Sequence, residues 1–402
     1  MSMNDSVLLL NAGSSSLKAT LMESGGGVVA HGMADWAGSA ARYLYEGPDG
    51  TPHSEEVTWN GHARAVERFV FDLMHSDTAA LPERTAPAAV GHRVVHGGEF
   101  SSSVLITPEI RTRIAALADL APLHNPPSLE TLRAAEAVLP GVPQVAVFDT
   151  AFHRTLPPQA RTYGVPRRWT VDWGIRRYGF HGLSHAYCSR RAVEMVGKGA
   201  EALRLVICHL GHGCSAAAVR AGVSIDTTMG FTPLDGLMMA TRSGAVDPGI
   251  VLHVQQRHGL TAAQVESVLN HESGLLGVSD ISGDMREVLA AAKAGHQQAQ
   301  LALSVYTYRV RQAIGALAVT LGGVDALIFT AGVGEHASEV RESISAGLEC
   351  LGLELDREIN AASRPDADVA ARHSRGRILV IATREDVTMF REVIQVLDGH
   401  TI

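Results

Sequence analysis

VLLLNAGSSSLKATLM at residues 7–22 and LVICHLGHGCSAAAV at residues 205–219 decide the fold. Each is an apolar run, a turn crowded with Gly and Ser, and a second apolar-leaning run. This is the pattern of two strands joined by a tight turn. The same device half a chain apart predicts a duplicated unit. A Gly/Ser turn exposes backbone N–H groups that no side chain shields, which suits phosphate oxygens. Two such cradles facing each other across a cleft would hold a nucleotide. Residues Gly13–Lys18 fail the P-loop pattern, because Leu17 stands where Gly must precede Lys. Ala19–Met22 also continue as strand rather than helix, so a P-loop NTPase is not expected. For that segment alone, a plain surface hairpin turn is the other reading.

Outward from these hairpins, strands alternate with helices. A polar hairpin is expected around Tyr43–Thr58, then a helix with Val66, Phe69, Val70 and Leu73 at i, i+3, i+4, i+7. Ala89–Val95 reads as a strand entering the Gly97–Gly98 turn. Ile110–Leu120 and Ser128–Val138 read as helices separated by Pro122, Pro126 and Pro127, and Val145–Phe148 as a buried strand ending on Asp149. In the second half, Thr261 and Gln264 form a capping-box pattern. A long helix runs through Leu301 to Leu321 and stops at Gly322–Gly323. Strand Ala326–Phe329 follows, then a turn at Ala331–Gly334, a helix with Val340, Ile344, Leu348 and Leu351, and a strand Ile378–Ala382 leading to a last helix. The class is α/β with mixed sheets, built twice.

At 402 residues the chain suits two domains. Its net charge of −8, with no Lys/Arg block, argues against nucleic acid as a partner. No apolar run approaches a membrane span, and the N-terminal one breaks at Asn11, so neither a signal peptide nor a membrane partner is expected. Cys188, Cys208, Cys214 and Cys350 include no C-x-x-C pair and read as reduced thiols of a cytoplasmic protein. His92/His96 and His181/His185 have zinc-like i, i+4 spacing. Gly182 interrupts the second pair, and neither pair carries the Glu of H-E-x-x-H, so no metallohydrolase is expected. Gly211-x-Gly213 and Gly332-x-Gly334 are loose dinucleotide-type patterns; only the second has strand before and helix after. Arg93 and Arg242 lie on glycine-rich loops, where a guanidinium fork suits planar oxyanions; an ordinary salt bridge is the alternative for each. Asp149 and Glu385 follow strands, where α/β proteins place functional groups.

NAGSSSLK at 11–18, GHRVVHGG at 91–98, PLHNP at 122–126, FDTAFH at 148–153, YGFHGLSH at 178–185, HLGHG at 209–213, MGFTPLDGL at 229–237, TRSG at 241–244 and FTAGVGE at 329–335 together resemble the acetate kinase family. The resemblance runs in order through nearly the whole chain. It implies duplicated actin-like (ribonuclease H-like) domains with mixed β-sheets flanked by helices and an ATP cleft between them. Residues 1–150 with 384–402 would form the acetate side, and 151–383 the nucleotide side, in a homodimer. The reaction implied is reversible in-line phosphoryl transfer from ATP to acetate, giving ADP and acetyl phosphate. Mg²⁺ would be required, with Mn²⁺ able to substitute. A kinase of propionate or another short-chain acid is the nearest alternative, and a non-catalytic actin-like nucleotide-binding module a remote one.

The resemblance also implies roles. Asn11 and Glu385 would position the metal. Lys18, with Ser14 and Ser16, would contact phosphoryl groups. Arg93 would hold the acetate carboxylate, Arg242 would brace the transferring phosphoryl, and His181 would hydrogen-bond it. Asp149 would sit beside the reacting oxygen or the metal. Val95, Leu123, Phe180 and Pro233 would hold the methyl group. The nucleotide would lie on His209, Leu210, Gly211, His212 and Gly213, on Asp284, Met285 and Arg286, and on Gly332, Val333, Gly334, Glu335 and His336. The chain departs from the family at His212 and His336, where Asn is usual, at Ala245, where Asp is usual, and at Arg384. A partly charged His212 would add a pH dependence between about 6 and 7.

Overall fold

The computed structural model describes residues 6–36, 38, 40–81, 85–121, 125–197 and 203–399. The chain divides into two compact units, 1–151 with 384–402, and 152–383. No helix of the described residues is long and apolar enough to cross a membrane.

The first unit is built on strands β1 (Val7–Ala12), β2 (Ser16–Met22), β3 (Val28–Asp35), β4 (Ala41–Glu46), β5 (Pro52–Val57), β6 (Ala89–Val94), β7 (Val104–Leu105) and β8 (Gln144–Phe148). They form one sheet in the order β5-β4-β3-β2-β1-β6-β8-β7. The β1–β2 and β2–β3 pairs are antiparallel, whereas β1–β6 and β6–β8 are parallel. Parallel strands are covered on both faces, which is why Val7–Leu10 and Val145–Phe148 are apolar runs rather than alternating ones. Helix His62–His75 lays Val66, Phe69, Val70 and Leu73 on the sheet, as its periodicity predicts. Helix Glu385–Leu397 buries Met389, Phe390 and Val393. Gly91 makes that packing possible, because a Cβ there would lie 2.7 Å from Val393 and 2.9 Å from Leu9.

The second unit holds β9 (Arg204–Leu210), β10 (Cys214–Arg220), β11 (Val223–Thr227), β12 (Ala326–Thr330), β13 (Ala367–Asp368) and β14 (Arg377–Val380), in the order β11-β10-β9-β12-β14-β13. Again the first hairpins are antiparallel, and β9–β12 and β12–β14 are parallel. The series β11-β10-β9-β12-β14 therefore repeats β3-β2-β1-β6-β8 in order and direction, so the duplicated mixed α/β class predicted from the two hairpins is the fold. Side chains alternate across β10: Ser215 meets helix Gly182–Val196, while Cys214 meets Tyr306 of helix Gln297–Leu321. The two helices cover opposite faces.

Several local expectations are corrected. Pro126 and Pro127 do not separate helices; they lie in the first turn of helix Asn125–Val138, where N–H groups have no intrahelical partner to lose. The preceding helix is Pro108–Ala116, with a 3₁₀ turn at Ala118–Leu120. Ala331–Gly334 is not an open turn, because helix Ala331–His336 begins directly on β12 with Ala331 at φ 64°. The helix placed over Val340–Leu351 is two pieces, Ser338–Ser345 and a 3₁₀ turn Leu348–Leu351, broken at Gly347, φ 90°. Helix Gly182–Val196 follows His181, which is itself left-handed at φ 56°.

Candidate active site

The residues singled out from the sequence fall into two clusters, one in each unit. In the first unit, Asn11 lies next to last in β1, Arg93 near the end of β6, Asp149 just after β8, and Glu385 opens the last helix. Parallel strands β1, β6 and β8 bring their C-terminal ends together, so residues far apart in sequence converge. Arg93 Nε donates to Asp149 Oδ2 at 3.1 Å and Nη2 to the same oxygen at 2.5 Å. Arg93 Nη1 donates to Asn11 Oδ1 at 3.0 Å and lies 3.9 Å from Glu385 Oε2. Asn11 Nδ2 donates to Glu385 Oε2 at 3.3 Å. Asp149 is fully buried. Burial opposes the Arg93 charge, but Asp149 and Glu385 outweigh it, and the guanidinium stays firmly protonated. Three of its five N–H groups serve these contacts; two remain for an oxyanion.

Lys18 is exposed on β2 and pairs in register with Asn11, so both side chains share one face of the sheet. Ser14 is exposed and Ser16 half-buried in the hairpin turn, which is closed by Gly13 N–H donating to Ser16 O at 2.8 Å. Val95, just past β6, is buried. Leu123 lies outside the described residues.

The second cluster gathers on the β9–β10 turn. His209 and Leu210 end β9, and Gly211, His212 and Gly213 form the turn, with Gly211 N–H donating to Gly213 O at 3.0 Å. A Cβ on Gly213 would meet His181 Nε2 at 3.2 Å and Arg242 Nη1 at 3.7 Å. An imidazole and a guanidinium therefore border the same glycine of this turn. His181 stacks on His209 with ring centroids 4.1 Å apart. Phe180 and Pro233 are buried, and the Pro233 carbonyl accepts from Arg242 Nη1 at 3.4 Å. The Arg242 turn is held by backbone: Ser273 N–H donates to Thr241 O, Leu275 N–H to Met239 O, and Leu276 N–H to Ala240 O. Burial lowers the pKa of Arg242. Burial and then the Arg242 charge lower that of His212. His212 is thus neutral near pH 7, and the pH dependence between 6 and 7 expected from it moves to lower pH.

The remaining nucleotide residues are less free than the sequence suggests. Glu335 accepts from Thr383 N–H at 2.8 Å and Thr383 Oγ1 at 2.7 Å, while Thr383 Oγ1 accepts from Ala331 N–H at 2.8 Å. Gly332, Val333, Gly334, Glu335 and His336 form a helical turn locked to the strand-to-helix link, not an open loop. Asp284 caps helix Met285–Lys293 and binds the guanidinium of Arg286, which is largely exposed; Met285 is buried. Ala245 is exposed and lines an open cavity of about 670 Å³ with Arg177, Asp235, Glu272 and Arg309.

Two residues were not legible in the sequence. Arg341 is fully buried and donates to the carbonyls of Gly334 and Glu335 at 3.0 and 2.8 Å and to Asn360 Oδ1 at 2.7 Å. Its burial lowers its pKa to about 10. Ser215, also fully buried, touches both His181 and His185. Of the zinc-like pairs, His92 and His96 do not converge, since His92 Nε2 bonds Gln144 and His96 Nδ1 accepts from Gly98 N–H, whereas His181 and His185 meet on Ser215 Oγ rather than on a common metal position. Among the described residues no three His, Cys, Asp or Glu side chains are grouped to hold a metal.

The family described as the acetokinase family matches residues 6–391. An acetate kinase of Cyanothece sp. is 45% identical over 405 residues, covering 98% of this chain and 99% of its own. The crystal structure of Porphyromonas gingivalis acetate kinase superposes with a TM-score of 0.90 at 39% identity, over 98% of this chain and 100% of its own. A propionate kinase from Francisella tularensis gives a TM-score of 0.89 at 37% identity, over 96% and 98%.

Proposed function

The chain belongs to the acetokinase family, and on that premise we propose how its residues divide the work of the reaction. The activity is phosphoryl transfer between ATP and acetate, with ADP and acetyl phosphate as the other pair of substrates and a divalent metal ion. Acetate is favoured over propionate as the acceptor. The observation that carries the division of roles is the pairing of His181 and Arg242 on the Gly213 turn.

The transferring phosphoryl spreads negative charge over its equatorial oxygens, so cationic and N–H donors held in place lower the barrier. Arg242 and His181 supply them from the second unit. Arg93, fixed by Asp149 and Asn11, offers its two remaining N–H groups to the acetate carboxylate. Acetate is ionised at pH 7, so no strong base is needed. Asp149, bonded through one oxygen to two guanidinium nitrogens, orients Arg93 rather than abstracting a proton. Lys18 shares the sheet face of Asn11 and meets a phosphate oxygen. The turn 209–213 and helix Ala331–His336 carry the nucleotide. Val95, buried just past β6, is the first unit's contribution to the methyl subsite.

Asn11, Asp149 and Glu385 are oxygen donors, the type a hard cation takes. A centre with few protein carboxylates suits Mg²⁺, which binds through one or two of them plus substrate phosphates. Bound there, Mg²⁺ would neutralise phosphate charge during transfer. Arg93 keeps Asn11 and Asp149 oriented in the meantime.

A homodimer accounts for helix Pro248–His258, which buries none of its residues and leaves Ile250 and Leu252 51% and 56% exposed. The buried free thiols Cys188, Cys208 and Cys214 suit a reducing, cytoplasmic setting. A hydroxamate assay with ATP and acetate, repeated with propionate, butyrate and other phosphoryl donors, tests the whole reading. We expect the highest kcat/KM with acetate and ATP; a preference for butyrate, or no acyl phosphate at all, would overturn it.

A further inference from the structure

His181 is useful beside Arg242 only if its Nε2 carries a proton; a bare lone pair there would repel phosphoryl oxygens. Neutral imidazole has one N–H, and what the other nitrogen contacts decides where it sits. His181 Nδ1 lies 2.9 Å from Ser215 Oγ, and His185 Nε2 lies 2.8 Å from the same oxygen. Among the described residues these two ring nitrogens are the hydrogen-bond partners of Ser215 Oγ, so its single proton goes to one of them while a lone pair accepts from the other.

His185 settles which. It is fully buried, and its Nδ1 has no partner among the described residues. Buried N–H groups left without an acceptor are rarer in folded proteins than buried acceptors left without a donor. His185 therefore carries its proton on Nε2 and donates to Ser215 Oγ. The Ser215 hydrogen is then left for His181 Nδ1, and the His181 proton goes to Nε2. The backbone supports this geometry: His181 caps helix Gly182–Val196 from a left-handed conformation, and Ser215 sits opposite His209 in the β9–β10 register. A second contact, His209 Nδ1 to Ser184 Oγ at 2.8 Å, ties the same helix turn to β9.

We propose that Ser215, oriented by His185, is a positioning residue that fixes His181 in the Nε2–H tautomer at the Gly213 turn. The proposal rests on the reading in which His181 donates to the transferring phosphoryl. Long-range ¹H–¹⁵N correlation of histidine-labelled wild-type protein, with His181 assigned through His181→Gln, reads the tautomer without any activity measurement. We expect a protonated Nε2 and a bare Nδ1; a protonated Nδ1 at neutral pH overturns the proposal. In Ser215→Ala, kcat should fall at least about tenfold, toward the 10²–10³ loss of one transition-state donor, with KM for ATP and acetate little changed. Ser215→Thr, which keeps the hydroxyl, should recover most of that loss. Wild-type kcat in Ser215→Ala, or no recovery in a Ser215→Thr protein of normal stability, counts against it. If His181→Gln retains full turnover, the phosphoryl-contact reading fails, while the tautomer measurement still stands.

Discussion

Arg93 and Arg242 have the same chemistry in opposite settings. Arg93 is paired with a fully buried carboxylate, so its charge is part of the fold. Burial disfavours the charge of Arg242, so keeping it charged costs the fold rather than supporting it. Arg93→Ala should lose activity and also about 3–5 kcal/mol of stability, because Asp149 keeps its buried charge without its guanidinium. Arg242→Ala should lower kcat by about 10³-fold or more with Tm unchanged or raised. Thermal melts run beside the hydroxamate assay check both. From the sequence, both arginines stood out as cations on glycine loops; Arg93 instead lies within strand β6, before the glycine pair, and both lie at a cluster. Ser215 and Arg341 did not stand out, since a serine in a strand and an arginine in an amphipathic helix read as ordinary. Their importance comes from neighbours distant in sequence, His181 and His185 for one, Gly334 and Asn360 for the other.

At the scale of elements, the turn carrying Arg242 is supported by the short helix Gly274–Ser279. Gly274 has φ 64°, and a Cβ there would lie 2.3 Å from Met239 O and 2.8 Å from Arg242 O. Both obstacles are backbone, so neither can swing aside. Gly274→Ala should cost about 1–3 kcal/mol and lower kcat together, since the displaced turn carries Arg242 with it. A variant with normal activity and an unchanged urea midpoint would show that the turn is not braced this way. The hairpins and the long helix were legible because their periodicity is set by burial, which composition records. The break at Gly347 and the prolines inside helix Asn125–Val138 were not, because they depend on which backbone donors need partners.

For the whole molecule, buried histidines set the acid limit. Burial lowers His92 and His153 to about 4, despite hydrogen bonds that pull upward, and His185 well below its usual value. Each binds a proton in the unfolded chain near pH 6.5 but not in the fold. Stability is thus complete above that value and is lost as pH falls from about 6.5 toward 4, by roughly 3 kcal/mol for each of His92 and His153, with His185 acting in the same direction. Urea unfolding at pH 7 and 4.5 should show this drop; equal midpoints would contradict it. The exposed helix Pro248–His258 makes a separate prediction: an Ile250→Glu, Leu252→Glu double variant should sediment as a monomer if wild type is a dimer. The duplicated order of the two sheets was legible from two short motifs, since each hairpin is local. The membership of helix Glu385–Leu397 in the first unit is not local: no single window of sequence displays it, and only the resemblance over the whole chain implied it.

That helix has a consequence for biosynthesis. A ribosome finishes β8 long before it reaches Glu385, with the entire second unit translated in between. The nascent first unit lacks the apolar cover of Met389, Phe390 and Val393 and the carboxylate beside Asn11. A chain truncated before Glu385 would therefore have a second unit able to mature and a first unit left with an open face, a species for chaperones and proteases rather than a half-active enzyme.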